Sequence, residues 1–267
     1  MGMDHEADVE SSAEAESLVV RDDQSDFPAL LDAAKDCRWR GGRLKLVDSG
    51  RLSRSELEWL GEAGADLYTS DLVRPALSEI VLMGAAARKG GAAAAFFHHG
   101  PFETLEGEAR LSFEALKEMG RSGVVLNVSN GRGRREPGAL EELAAACASG
   151  GTRLVYYHHG LLEAGLERLA RAGAWIHLAS FALQKEDDVS ALCDLAHTAV
   201  EAEGNVVLHV EGQLDPTWLS DIFDSGARLL FQTPPSDYRS PQKPFELRAG
   251  RQPLDPRSYY LYPSYLL

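Results

Sequence analysis

Six of the eight histidines in this chain lie within or at the ends of short apolar runs: His98, His99, His158, His159, His177 and His209. Only His5, in an acidic N-terminal stretch, and His197, in a helical pattern, lie elsewhere. Imidazole gives or takes a proton near neutral pH and ligates divalent metals, so such clustering points to acid–base or metal chemistry. Polar groups at the ends of the other runs join them: Asp48, Thr69 with Asp71, Asn127 with Ser129, Glu211 and Gln232.

Two of the runs echo each other, Phe96-Phe97-His98-His99-Gly100 and Tyr156-Tyr157-His158-His159-Gly160. Strand side chains alternate between two faces, so only one histidine of each pair shares a face with its partner. His209 and Glu211 share a face, opposite Val206, Leu208 and Val210. Burying His209 and Glu211 under helices would be costly, which favours pointing them inward. In that phase His99, His159 and Glu211 form one layer, with His209, Phe97 and Tyr157 beneath. The other phase gathers His98, His158 and Asp48 over Leu46, Phe96 and Tyr156.

Either phase supplies two imidazoles and a carboxylate, a donor set suited to zinc, manganese or iron. The expected metal ligands are therefore His99, His159, Glu211 and His209, or else His98, His158 and Asp48. Asp48, His177 and Asn127 are the expected catalytic groups, with His177 as a general base and Asp48 orienting a metal-bound water. Alternatively, the histidines bond to loop carbonyls and hold the mouth together. The segment Asn130-Gly131-Arg132-Gly133-Arg134-Arg135-Glu136 offers three arginines to an anionic substrate. Arg132, Arg134, Arg135 and Gln232 are thus the expected substrate contacts, unless the arginines pair with Glu136, Glu141 and Glu142. Asp71 reads as a cap for a helix beginning near Pro75.

Positioning these groups requires a repeated element. Eight apolar or β-rich runs occupy 43–48, 65–69, 92–98, 123–128, 152–158, 174–179, 205–210 and 227–232. Helical patterns separate them at 53–63, 75–89, 105–119, 137–148, 161–172, 187–203 and 215–225, and Asp26 can cap a further helix through Cys37. Alternating strands and helices argue for parallel pairing through crossovers, and eight such units predict a single (β/α)8 TIM-type barrel. An open doubly wound sheet is the alternative, without the G-x-G-x-x-G that dinucleotide binding would need. Chemistry in the barrel fold sits at the C-terminal ends of the strands, where the groups above fall.

The ends of the chain depart from the pattern. Residues 1–25 carry eight Asp or Glu against one Arg and are expected to form a disordered acidic tail, leaving 26–267 as the barrel domain. Seven of the twelve prolines lie between Pro234 and Pro263, so an irregular Pro/Tyr-rich segment is expected in place of the eighth helix. Tyr259, Tyr260, Tyr262 and Tyr265 should pack on the barrel wall or join a second subunit as a homo-oligomer.

Composition narrows the function. A formal net charge of −14 makes nucleic acid and anionic lipid poor partners. No apolar run approaches the roughly 20 residues that cross a bilayer, and no signal peptide opens the chain. Cys37, Cys147 and Cys193 are odd in number and far apart, which speaks against a disulfide framework and for a reducing cytoplasm.

The layout resembles that of metal-dependent barrel hydrolases such as the amidohydrolase and polymerase-histidinol-phosphatase groups. The residues depart from theirs: Leu46-Val47-Asp48 stands where a His-x-His would be, Asn127 in place of a bridging lysine and Gln232 in place of an aspartate. The expected function is a metal-dependent hydrolase or lyase for a small, anionic molecule. The alternatives are a metal-free isomerase or lyase using histidine acid–base catalysis, and a non-catalytic binding scaffold.

Overall fold

The computed structural model describes residues 18–98, 100, 111–130, 136–210 and 214–231. Nine parallel strands run through it: β1 (Leu18–Arg21), β2 (Leu44–Val47), β3 (Asp66–Ser70), β4 (Ala94–His98), β5 (Val125–Ser129), β6 (Leu154–Tyr157), β7 (Trp175–Ala179), β8 (Asn205–Val210) and β9 (Arg228–Phe231). Eight helices connect them: α1 (Phe27–Trp39), α2 (Arg54–Glu62), α3 (Leu77–Lys89), α4 (Phe113–Arg121), α5 (Pro137–Ser149), α6 (Gly165–Arg171), α7 (Glu186–Glu201) and α8 (Pro216–Asp224). The strands pair in sequence order from β1 to β9. This succession of βα units is the α/β architecture of the (β/α)8 barrel class.

All eight expected strands are present as β2–β9. The ninth, β1, falls within the stretch 1–25 expected to be a disordered tail, and it corrects that expectation for residues 18–25. Leu18-Val19-Val20-Arg21 is too short and too close to acidic sequence to announce a strand. It is templated by its ladder with β2, from Leu18 opposite Leu44 to Arg21 opposite Val47. Asp22, fully buried, fixes the turn that follows by accepting the Ser49 amide at 2.9 Å and the Leu52 amide at 3.4 Å. Residues 1–17 and the Pro/Tyr-rich segment 232–267 lie outside the described residues.

Helix starts follow local chemistry. Asp26 caps α1 by accepting the Ala29 amide at 2.9 Å, Ser53 and Glu56 form a reciprocal capping box on α2, and Ser112 caps α4. That last cap places the start of α4 at Phe113 rather than near Leu105, and α6 likewise begins at Gly165 rather than at Leu161. Gly90 and Gly150 permit close approach between neighbouring helices. A Cβ on Gly90 would strike the Gly61 carbonyl, and one on Gly150 the Gly120 carbonyl.

The strand faces separate two cores. Leu44, Leu46, Leu67, Phe96, Leu126, Val128, Tyr156, Ile176, Leu208 and Leu229 pack with helix residues in the outer core. Val47, Ala95, Phe97, Val155, Tyr157 and Ala179 form the inner one, with Val19, Tyr68, Val125 and Trp175 against it. Among the described residues, no helix is long and apolar enough to cross a membrane.

If β1 and its turn belong to the fold, Asp22→Ala should cost about 1–3 kcal/mol by leaving the buried Leu52 amide and the part-buried Ser49 amide without their acceptor. The urea midpoint measures this. A midpoint unchanged both by that substitution and by deletion of residues 1–21 would contradict the assignment.

Candidate active site

Strand alternation sends the two groups of histidines to different places. His98 follows Phe96 and His158 follows Tyr156 on the helix-facing side, while His177 and His209 lie on the inner face with Tyr157 and Phe97. The inward phase of His209, Phe97 and Tyr157 is the one expected from the sequence.

The outward histidines hold loops. His98 Nδ1 lies 3.0 Å from Asp71 Oδ2, which also accepts the Gly100 amide at 3.0 Å. His158 Nε2 lies 2.9 Å from the Leu161 carbonyl, and its Nδ1 lies 3.4 Å from Asn130 Nδ2. Asn130 also accepts the His159 amide at 2.6 Å and donates to the His159 carbonyl at 2.9 Å. Asp71 and Asn130 thus play matching parts, each reaching from the end of one strand to clamp the HHG turn of the next. Asp71 is therefore a turn clamp and not a helix cap. Sequence reasoning missed the clamps, although a signal was present: Asp71 to Asn130 spans 59 residues, close to the 60 from His98 to His158.

The structure does not bring the alternative metal set of His98, His158 and Asp48 together. Among the described residues no three His, Cys, Asp or Glu side chains come together as a metal site. Asp48 Oδ1 accepts from Gly50 at 2.9 Å and Arg74 Nη2 at 3.0 Å. Its Oδ2 accepts from Thr69 at 2.7 Å and Arg74 Nε at 2.5 Å. With its lone pairs saturated, Asp48 cannot also orient a reactive water; it ties β2, β3 and the loop carrying Arg74 together. This corrects its expected catalytic role.

His177 and His209 meet on the inner face. His177 Nδ1 lies 2.9 Å from His209 Nε2, and both residues are buried. Tyr157 packs against the His177 ring at 4.6 Å between centroids and donates its hydroxyl to Asn127 Oδ1 at 3.3 Å. The structure therefore joins His177, His209 and Asn127 through Tyr157, which the sequence placed only as a layer residue. The fully buried Ser70 hydroxyl, at the end of β3, has no partner among the described residues. Such an orphan hydroxyl invites a ligand or water bond.

Burial pushes the His177 imidazole down to about 3. His209 is also lowered well below its usual value, first by burial and then by His177. Both are neutral at pH 7. One ring donates across the shared contact and the other accepts, so their outer nitrogens present one N–H and one lone pair. Burial pushes the Cys147 thiol up to about 12, which makes it an inert core group.

Of the other expected groups, His159 is described through its clamped main chain. His99, Glu211, Arg132, Arg134, Arg135 and Gln232 lie outside the described residues.

No family model matches the sequence, and no curated protein matches it. The structure is similar to a putative fructose-1,6-biphosphate aldolase from Coccidioides immitis, at 14% identity over 76% of this chain and 79% of that one, with a TM-score of 0.38. It is also similar to a HpcH/HpaI aldolase/citrate lyase family protein from Burkholderia cenocepacia, at 14% identity over 84% and 96%, with a TM-score of 0.36. A third similarity is to 3-dehydroquinate dehydratase from Enterococcus faecalis, at 16% identity over 80% and 87%, with a TM-score of 0.35. Values this low carry neither substrate nor reaction across, so the chemistry is argued from the site.

The depressed basicity of the pair sets a pH dependence. An unfolded chain binds protons at these rings near the ordinary value of 6.5, whereas the fold holds His177 at about 3. Their contribution to stability is full above about pH 6.5 and is lost as pH falls toward 3. Stability should therefore fall less between about pH 6 and pH 4 in His177→Gln/His209→Gln than in the parent, by urea titration. Equal slopes would show that the rings are not held neutral.

Proposed function

We propose that this protein is an enzyme acting on a small, anionic molecule at the C-terminal mouth of the barrel, with the His177–His209 pair moving a proton. The carrying observation is the buried 2.9 Å contact between two neutral imidazoles. One outer nitrogen takes a proton from the substrate, the shared proton shifts between the rings, and the other outer nitrogen releases a proton to the departing or rearranged group. The pair ends neutral with its tautomers exchanged, so no imidazolium forms in the dry interior. That pattern suits a lyase or isomerase. The Ser70 hydroxyl offers a bond to a substrate oxygen, and Arg132, Arg134, Arg135 and Gln232 remain the proposed anion contacts.

A second reading is favoured by the same contact. A ligating histidine is normally oriented by a bond to its other nitrogen, and His177 holds His209 Nε2. His209 would then ligate zinc, manganese or iron through Nδ1, with His99, His159 and Glu211 completing the set. The ion would polarise a carbonyl or phosphoryl oxygen and make the protein a metal-dependent hydrolase or lyase.

The test is incubation with a panel of small hydroxy acids, keto acids and phosphate esters in heavy water, read by proton NMR for turnover and deuterium uptake. His177→Gln and His209→Gln should each slow the active reaction by about 10²–10⁴-fold. Full activity in both variants would overturn the relay. Stoichiometric metal in protein purified without chelator, lost on His209→Ala, would favour the second reading.

A further inference from the structure

The opposite end of the barrel holds a different cluster. Trp175 is the first residue of β7 and belongs to the inner face. The Arg153 guanidinium lies 4.5 Å from its ring centroid and that of Arg228 lies 5.2 Å away. Arg153 immediately precedes β6 and Arg228 opens β9, so all three sit at N-terminal strand ends. Strand alternation places Lys45, two residues before Val47, on the same face.

The charge pattern leaves both guanidinium groups available. Many cations meet carboxylates, as in Arg168 with Glu141, Arg171 with Glu167 and Lys89 with Glu62. Neither Arg153 nor Arg228 has a carboxylate partner among the described residues, although acidic residues outnumber basic ones 41 to 27. Asp66, the acidic group on this face, is taken by Arg43 at 3.7 Å and by the Ala93 amide at 2.9 Å. Stacking on an indole covers a guanidinium's face and leaves its N–H edge free for an anion.

A second observation points to a ligand. Asn205 opens β8 directly opposite Trp175 in the ladder. It is nine-tenths buried, and its Oδ1 has no hydrogen-bond partner among the described residues. A buried amide oxygen without a donor is costly. It suits a ligand that brings a hydroxyl beside its charge.

We propose that the N-terminal end of the barrel is a binding site for a small phosphate-bearing molecule, held by Arg153 and Arg228 about Trp175, with Asn205 accepting a ligand hydroxyl. The site lies at the N-terminal ends of the same strands, Trp175 two residues before His177, and does not depend on the chemistry of the His177–His209 pair. Its natural role is regulation or stabilisation by a ligand that binds only the folded chain.

The full chain is titrated at constant ionic strength with inorganic pyrophosphate and, separately, glycerol 3-phosphate, read by tryptophan fluorescence and melting temperature. Saturable responses are expected, with the fluorescence change lost in Trp175→Phe. Arg153→Gln/Arg228→Gln should weaken binding at least tenfold. Asn205→Ala should weaken glycerol 3-phosphate more than pyrophosphate. If the double variant fails to fold, Arg228→Gln alone must weaken binding. No saturable response to either probe, or an equal response in the arginine variants, would overturn the proposal. His209→Gln should leave this binding unchanged, which separates its failure from failure of the catalytic reading.

Discussion

A parallel strand in this fold has one face against helices and the other toward the barrel axis, with a side-chain period of two. That constraint decides what each histidine can do. His98 and His158 fall on the helix side, where a buried imidazole must find partners in the loops, and Asp71, Asn130 and the Leu161 carbonyl provide them. His177 and His209 fall on the axis side, in adjacent strands, close enough to bond to each other. The same alternation places Lys45 on the face that carries Trp175 at the other end.

The polar network divides accordingly into support and site. The saturated Asp48 carboxylate and the buried Asp22 carboxylate tie β1, β2 and β3 to the loops above them. The HHG turns, clamped by Asp71 and Asn130, stiffen the rim at β4 and β6. What remains on the axis side is His177, His209, Tyr157, Asn127 and Ser70. His177 meets His209, Tyr157 donates to Asn127, Asn127 makes a long contact to the Phe96 carbonyl at 3.5 Å, and the Ser70 hydroxyl has no partner among the described residues. A neutral imidazole pair in this buried setting avoids the penalty of creating a buried charge.

Much of this was legible in the sequence. Repeated apolar runs and intervening helical patterns fixed the barrel class because both periods are local. The inward phase of His209 followed from the cost of burying its companion Glu211 under helices. The contact between His177 and His209 was not legible, because it depends on the register between β7 and β8, where Ala179 lies opposite His209. The saturation of Asp48 was hidden for a similar reason, since Arg74 lies 26 residues away on a loop. Strand β1 escaped notice because its stability comes from the ladder with β2 rather than from its own four residues.

The central claim is that His177 and His209 are a neutral, mutually bonded pair. Nitrogen-15 NMR of the imidazole rings across about pH 5–8 tests it most directly. The account predicts two resonance sets that stay neutral throughout, one ring donating and one accepting across the shared contact. Titration of either ring near 6.5, or the absence of an inter-ring bond, would contradict it.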